Sequence, residues 1–304
     1  MKILFMGTTD YAVACLDAMR AAGYEAAAIC TKADRPKNRG MRRTFSPVKE
    51  YALRAGIPIL QPETLKTEES VALLRAVEAD LFVVVAYGKL LPREVLDLPP
   101  LGCINVHGSL LPKYRGAAPI QWAVLNGERT TGVSVMYLAE GMDSGDVIDT
   151  ADLEIGTYES FGSVYERMKI LGGELLARVL LRFISGKPAA VPQDENEVSF
   201  APPILKEHTV VDWSWNAEKI CCRICGLDPK PGARAVIAGT EFKVFSPEIA
   251  ETNTTHEPGA VIEQRKNGLV VACGDGRAVL LKELQAPGGK RMPASDYLRG
   301  HRLI

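Results

Sequence analysis

Long apolar runs, an excess of one charge and a disulfide framework are all missing from this sequence of 304 residues. No apolar stretch reaches the roughly 18 residues that a membrane-spanning helix needs, and the first residues lack the pattern of a secretory signal. The 36 basic and 37 acidic residues argue against a surface that adheres to nucleic acid everywhere. The seven cysteines are irregularly spaced. We therefore expect a cytoplasmic protein with reduced thiols and no membrane contact.

Several signatures of common enzyme classes are absent as well. The first strand-like run ends at Gly7, but Thr9 and Ala12 stand where a dinucleotide fingerprint requires glycine. A nicotinamide oxidoreductase thereby loses its main support. The sequence also lacks a P-loop, a G-x-S-x-G elbow and an H-E-x-x-H helix. The one C-x-x-C pair, Cys222 and Cys225, has no second pair at zinc spacing, so we expect no metal.

Strand-like and helix-like segments alternate regularly in the first half of the chain. Short apolar runs such as residues 2–6 and 81–85 are separated by amphipathic stretches that end at glycines, for example Gly23 and Gly56. This alternation predicts an α/β fold with a doubly wound, mostly parallel, Rossmann-like sheet. Ligands in such folds bind at the carboxyl ends of the strands.

The pattern changes after a long amphipathic stretch at about residues 160–185. Four prolines between residues 188 and 203 predict a linker. Beyond it, one helix-like stretch and five short β-type runs predict a small, OB-like β-barrel, whereas the C-terminal tail has no obvious core. We therefore predict an α/β domain at 1–187, a linker at 188–206 and a β-barrel domain at 207–304.

Three polar residues stand out in strand and turn contexts. Asn105 and His107 lie on one face of a predicted strand, near its carboxyl end, and Asp143 follows in a glycine-flanked turn. An amide can donate to a developing oxyanion, an imidazole can move a proton, and a carboxylate can fix the imidazole tautomer. Alternatively, His107 is a core residue and Asp143 bonds the backbone of its own turn.

A strongly basic segment interrupts the otherwise neutral first half. Residues 32–43 carry six basic side chains against one acidic side chain, a net charge of +5. Such a run is usually a solvated surface. Beside an active site it becomes a candidate for binding phosphates, with an affinity that depends on salt.

The string INVHGSLLPKYRGAAPIQ, with GMDSGD further along, resembles the 10-formyltetrahydrofolate-dependent formyltransferases. The resemblance implies that Asn105, His107 and Asp143 are catalytic and that no metal takes part. It also implies that 10-formyltetrahydrofolate is the co-substrate and that its site includes two loops, with Tyr87, Gly88 and Leu90 in one and Ser109, Leu110, Leu111 and Pro112 in the other.

Other features are similar to the branch of this family that acts on initiator methionyl-tRNA. These are DRPKNRGMRRTFSPVK, GAAPIQ and the β-rich C-terminal domain. The resemblance implies that the C-terminal domain binds tRNA, as does the basic segment through Arg35, Lys37, Arg39, Arg42 and Arg43. We expect a monomer.

Two other functions compete with this interpretation. A UDP-amino-sugar N-formyltransferase would share the fold, the catalytic residues and the donor, and the basic segment is what separates it from the tRNA enzymes. A non-catalytic nucleic-acid-binding module would use the basic segment, but it would have no reason to bring Asn105, His107 and Asp143 together.

Overall fold

The computed structural model describes residues 1–34 and 44–303, which pack as two compact units. Neither unit is one continuous stretch of chain. The first consists of Met1–Ala117, Gly132–Leu153 and Arg167–Phe200, and the second of Ala118–Thr131, Glu154–Glu166 and Ala201–Ile304. The domain boundaries that we place at 188–206 remain a prediction.

A seven-stranded sheet forms the centre of the first unit. Its strands are β1 (Ile3–Gly7), β2 (Ala26–Cys30), β3 (Ile59–Leu60), β4 (Leu81–Val85), β5 (Cys103–His107), β7 (Thr130–Tyr137) and β8 (Val147–Glu154). Two further strands of two residues each, β6 (Arg115–Gly116) and β9 (Phe200–Ala201), lie outside this sheet.

The strand order is β3-β2-β1-β4-β5-β7-β8. Strands β1 to β5 pair in parallel, whereas β7 runs antiparallel to β5. Every residue of β1 and β4 is buried, as expected for central strands that are covered on both faces. The predicted doubly wound, mostly parallel sheet is therefore confirmed.

Five helices connect or flank these strands: α1 (Asp10–Ala21), α2 (Pro47–Ala55), α3 (Glu68–Arg75), α4 (Arg93–Leu96) and α6 (Phe161–Arg182). The sequence sets the ends of α2 clearly. The Ser46 side chain accepts a hydrogen bond from the Lys49 amide at the start, and Gly56 ends the helix with a φ of 68°.

The register between β5 and β7 determines how the chain approaches the end of β5. His107 pairs with Ser134, and Ile104 pairs with Tyr137. Because a strand rises about 3.3 Å per residue, β7 leaves the sheet about 10 Å from His107, near the start of β5. The turn at residues 138–146 must therefore fold back if it is to reach the carboxyl end of β5.

The second unit contains an antiparallel sheet with the order β10-β11-β14-β13-β12, and β15 pairs with β14. Its elements are α5 (Pro119–Leu125), α7 (Ala217–Leu227), β10 (Ala233–Ile237), β11 (Thr240–Ala250), β12 (Val261–Arg265), β13 (Gly268–Ala272), β14 (Ala278–Gln285), β15 (Met292–Pro293) and α8 (Ala294–Leu298). This arrangement confirms a C-terminal domain of antiparallel strands.

The core of the second unit lies between α7 and this sheet. Ile220 and Ile224 of α7 are fully buried against strand residues such as Phe242. The expectation that the tail has no core is wrong, because Ala294 is buried and the Tyr297 ring meets the Phe242 ring edge-on at 5.4 Å between centroids.

Short 3-10 helices lie at Phe183–Ser185, Glu195–Glu197 and Lys206–Thr209. Among the residues that the structure describes, no helix combines the length and the apolar character that crossing a bilayer would require.

Candidate active site

Strand β5 carries the first two candidate catalytic residues. Asn105 and His107 are two positions apart, so their side chains leave the same face of the sheet. Asn105 is half-buried, and within residues 1–34 and 44–303 its amide group makes no hydrogen bond to another side chain or to the backbone. Its two N–H groups are therefore available to a ligand.

The His107 imidazole, by contrast, is 5% exposed and is held by the backbone. Its Nε2 lies 2.9 Å from the carbonyl oxygen of Tyr114. A carbonyl oxygen can only accept, so Nε2 must carry a hydrogen. The Tyr114 backbone is in turn held by Ser199, whose Oγ accepts a hydrogen bond of 2.9 Å from the Tyr114 amide.

Asp143 reaches the other nitrogen of the same ring. Its Oδ2 is 3.6 Å from Nδ1 of His107 and accepts a hydrogen bond of 2.8 Å from the Gly116 amide. Asp143 also has a φ of 47°, in the left-handed region that few non-glycine residues adopt. The fold thus brings together His107 and Asp143, which are 36 positions apart in the sequence.

The hydrogen bond to Tyr114 determines which ring nitrogen of His107 faces Asp143. Because Nε2 donates to the Tyr114 carbonyl, Nδ1 is the nitrogen that lies beside the Asp143 carboxylate. The fold thus places an imidazole and a carboxylate next to each other at the end of β5.

The predicted folate loop at residues 109–112 follows directly after His107. Ser109 is buried, and its hydroxyl donates a hydrogen bond of 2.6 Å to the carbonyl of Lys113. Ser134 of β7 fixes the loop from the opposite strand, because its hydroxyl donates to the Ser109 carbonyl at 2.7 Å and accepts from the Leu111 amide at 3.0 Å. These hydrogen bonds hold the loop in place beside His107.

Leu110 and Pro112 complete that loop. A Cβ atom at Gly132 would lie 2.5 Å from Cδ2 of Leu110, so only glycine there lets β7 and this side chain approach so closely. Leu110, Leu111 and Pro112 are all half-buried, and the Leu111–Pro112 peptide bond is cis. Their apolar side chains are partly accessible beside His107.

The second predicted folate loop presents fewer side chains. The Tyr87 side chain is buried in the core, and its hydroxyl lies 3.4 Å from Sγ of Cys30. Burial raises the pKa of the Tyr87 phenol, and it raises the pKa of the Cys30 thiol to about 11. Gly88 has a φ of 71°, and Leu90 is 73% exposed. Tyr87 can therefore meet a ligand only through its backbone.

The predicted tRNA-binding residues Arg35, Lys37, Arg39, Arg42 and Arg43 lie outside the described residues. The residue just before them, Asp34, is well anchored. It pairs with the Lys49 ammonium and accepts a hydrogen bond of 3.0 Å from Nε2 of Gln61, which also donates to the Lys32 carbonyl at 2.8 Å.

The sequence does not predict several of the contacts that hold the candidate site together. Ser134 lies within a strand pattern in which a small polar residue carries no special signal. Ser199 and Gln193 lie in the segment that its prolines mark as a linker, yet Nε2 of Gln193 donates to the carbonyl of Asp143 at 2.8 Å. Nothing in that local sequence indicates these long-range contacts.

No group of three potential metal ligands comes together in the part of the chain that the structure describes. The cysteines of the C-x-x-C pair lie on α7, where Cys225 is buried and Cys222 is half-buried. Burial raises the pKa of the Cys225 thiol to about 12, which opposes the thiolate form that binds metals.

Known proteins match this chain along its whole length. Residues 1–180 match the family described as formyl transferase, and residues 203–302 match its C-terminal domain. The methionyl-tRNA formyltransferase of Acetivibrio thermocellus is 41% identical over 304 residues, which cover 100% of this chain and 97% of the relative.

Solved structures of lower identity share the fold. HypX from Aquifex aeolicus in complex with tetrahydrofolic acid has a TM-score of 0.67 at 20% identity, covering 98% of this chain and 47% of HypX. This chain thus spans about half the length of HypX. An N-formyltransferase from Helicobacter canadensis in complex with folinic acid and dTDP-3-aminofucose has a TM-score of 0.69 at 16% identity, covering 92% of this chain and 98% of that one.

The matched residues, the mostly parallel sheet and the antiparallel C-terminal strands agree with one another. This chain belongs to the formyl transferase family.

Proposed function

We propose that this protein transfers the formyl group of 10-formyltetrahydrofolate to the α-amino group of initiator methionyl-tRNA. The observation that carries the proposal is the full-length similarity to methionyl-tRNA formyltransferases, at 41% identity, in a chain whose fold brings His107 and Asp143 together. The folate carries the formyl group as a co-substrate, and no metal is needed for the transfer.

The reaction begins when the unprotonated amine of the methionyl ester attacks the formyl carbon. A new carbon–nitrogen bond forms, and the carbonyl electrons move to the oxygen, which becomes negatively charged. Asn105 is suited to stabilise this oxygen because its amide N–H groups have no partner among the described residues. The bond from the formyl carbon to N10 of the folate then breaks, and N10 takes up a proton.

His107 and Asp143 supply charge stabilisation and handle the protons. Tyr114 occupies Nε2 of His107, so Nδ1 is the nitrogen that faces Asp143. Asp143 orients the His107 ring, which helps to stabilise the oxygen that becomes negative. The Asp143 carboxylate can instead accept the proton that the attacking amine loses, directly or through water.

The basic segment provides the contact to tRNA in this proposal. Arg42 and Arg43 would bind phosphates of the acceptor stem and release counterions. We expect the double variant Arg42→Ala with Arg43→Ala to raise the KM for tRNA and to flatten its salt dependence while the KM for the folate is unchanged. Initial rates at several salt concentrations measure this. An equal rise in the KM for the folate would show that the segment shapes the folate pocket instead.

A UDP-amino-sugar N-formyltransferase is the alternative, since the Helicobacter canadensis N-formyltransferase that was solved with dTDP-3-aminofucose has a similar fold. The decisive experiment supplies 10-formyltetrahydrofolate with either charged initiator tRNA or a UDP-amino sugar. Formylation of the tRNA supports the proposal, and formylation of only the sugar refutes it. A monomer in the cytoplasm remains our expectation.

A further inference from the structure

The turn that carries Asp143 is held by a residue that takes no part in the proposed reaction. Strand β7 leaves the sheet near the start of β5, so residues 138–146 have to fold back toward His107. Asp143 also holds a φ of 47°, which costs free energy unless the surroundings fix it. A turn under these two constraints needs an external anchor.

Gln193 supplies that anchor from the segment predicted as a linker. Its Nε2 donates to two carbonyl oxygens of the turn, that of Asp143 at 2.8 Å and that of Gly145 at 2.7 Å. An amide nitrogen carries two hydrogens, so both are used. These bonds hold the backbone on either side of Ser144.

The Gln193 side chain is itself fixed by a buried cation. Its Oε1 accepts a hydrogen bond of 3.0 Å from Nε of Arg115, which is 4% exposed. Arg115 is held in turn by both carboxylate oxygens of Glu195, at 3.3 and 2.8 Å. Those hydrogen bonds lower the pKa of the Glu195 carboxyl, so the pair stays charged at neutral pH.

The strand that carries Arg115, β6, also contacts Asp143 directly. The residue after Arg115 is Gly116, whose amide donates to the Asp143 carboxylate at 2.8 Å. Gln193 therefore fixes the backbone of Asp143 while Gly116 fixes its side chain, and Arg115 links the two supports. The orientation of Gln193 is unambiguous, because a flipped amide would set its oxygen against two carbonyls and its nitrogen against a cation.

We infer that Gln193 is a positioning residue for the formyl transfer, which aligns the Asp143 carboxylate with His107 without touching either substrate. The inference rests on the proposed function of the site. Gln193 lies in the segment that the sequence predicts to be a linker, so the inference gives this segment a role in turnover.

The test compares variants of Gln193 in steady-state formylation of methionyl-tRNA. Gln193→Ala removes both donors, and misplacing a catalytic group by about 1 Å can cost on the order of 100-fold. We expect kcat to fall by about 10-fold to 100-fold. The KM for each substrate should stay within about twofold, because the hydrogen bonds of Gln193 go to Arg115 and to the backbone of the turn. Gln193→Glu keeps the length of the side chain and the acceptor for Arg115 but loses the paired donors. Its kcat should therefore fall at least as far as that of Gln193→Ala.

A double-mutant cycle separates positioning from general structural damage. If Gln193 acts only through Asp143, then Gln193→Ala should change kcat by less than about twofold in an Asp143→Asn background. Tyr137→Phe is the matched control, because it removes a hydrogen bond of 2.9 Å to the Pro188 carbonyl of the same segment but none to the turn. Its kcat should equal that of the wild type, and melting curves should show all variants folded.

Several results would overturn the inference. These are an unchanged kcat in Gln193→Ala, a full further loss in the Asp143→Asn background, or an equal loss in Tyr137→Phe. If the wild-type chain formylates methionyl-tRNA and Gln193→Ala is as active, only the inference falls. If the wild-type chain forms no formylmethionyl-tRNA, the proposed function falls and the inference falls with it.

Discussion

Replacing Asn105 with alanine separates catalysis from stability most sharply. Asn105 is half-buried on β5 and has no hydrogen-bonding partner among the described residues, so its removal strands no buried polar group. We therefore expect the free energy of unfolding to change by less than about 1 kcal/mol, as at other sites without special contacts. The side chain can be lost without harm to the fold.

The expected effect on turnover is far larger. Removing one donor from an oxyanion site typically costs about 2.7 to 4 kcal/mol of barrier, which corresponds to about 10²- to 10³-fold in kcat. The KM for 10-formyltetrahydrofolate should change little, because the donor acts on charge that appears only in the transition state. Asn105→Asp should be at least as slow, since a carboxylate there would repel the developing oxyanion.

The assay is single-turnover formylation of methionyl-tRNA with saturating folate, followed by separation of the formylated product. Asn253→Ala is the matched control, because Asn253 is exposed in the C-terminal unit. Chemical denaturation of each purified variant gives the free energy of unfolding. Turnover of Asn105→Ala at the wild-type rate would refute its assignment to the oxyanion, and a loss of activity that merely tracks unfolding would refute the separation of the two roles.

Three further predictions concern the supporting structure. Tyr87→Phe should lower the free energy of unfolding by about 1 kcal/mol and leave the KM for the folate unchanged, since among the described residues the Tyr87 hydroxyl contacts Cys30 in the core; a raised KM would show direct contact with the folate. Ile220→Ala, at a fully buried site, should cost about 2 to 5 kcal/mol in urea unfolding, whereas Val236→Ala, at an exposed site, should cost under about 1; equal losses would contradict the described core. Arg291 donates to the Glu283 carboxylate and lowers its pKa, so this contact stabilises the fold above the unfolded pKa of about 4.3 and is lost as the pH falls through the lower folded value. Glu283→Gln should therefore lower the Tm at pH 7 and match the wild type in strong acid, and a difference that persists in acid would show that charge is not its cause.

The sequence was most informative where structure is local. Alternating apolar runs predicted the buried strands β1 and β4, and Gly56 ends α2 as the sequence predicts. The candidate residues Asn105 and His107 could be placed on one face because strand periodicity is fixed by the backbone. These features need no knowledge of the rest of the chain.

Contacts between residues far apart in the sequence cannot be predicted from these local patterns. That Nε2 of His107 is occupied by Tyr114, or that Tyr87 turns its side chain into the core, depends on packing between segments distant in sequence. The sequence predicts no core in the tail, and the structure shows why this is wrong: α8 has only five residues, too few for apolar periodicity to reveal its buried face. In each case the deciding partner lies elsewhere in the chain.

The support of His107 by Ser199 has a practical consequence for dissecting this enzyme. The match to the first family region ends at residue 180, which makes that point a natural choice for a truncated version. A fragment cut there would retain Asn105, His107 and Asp143 but lose Ser199, whose hydroxyl anchors the loop that holds the imidazole. Such a fragment would lack one support of the imidazole. A stop placed beyond residue 200 would retain Ser199 and its hydrogen bond from the Tyr114 amide.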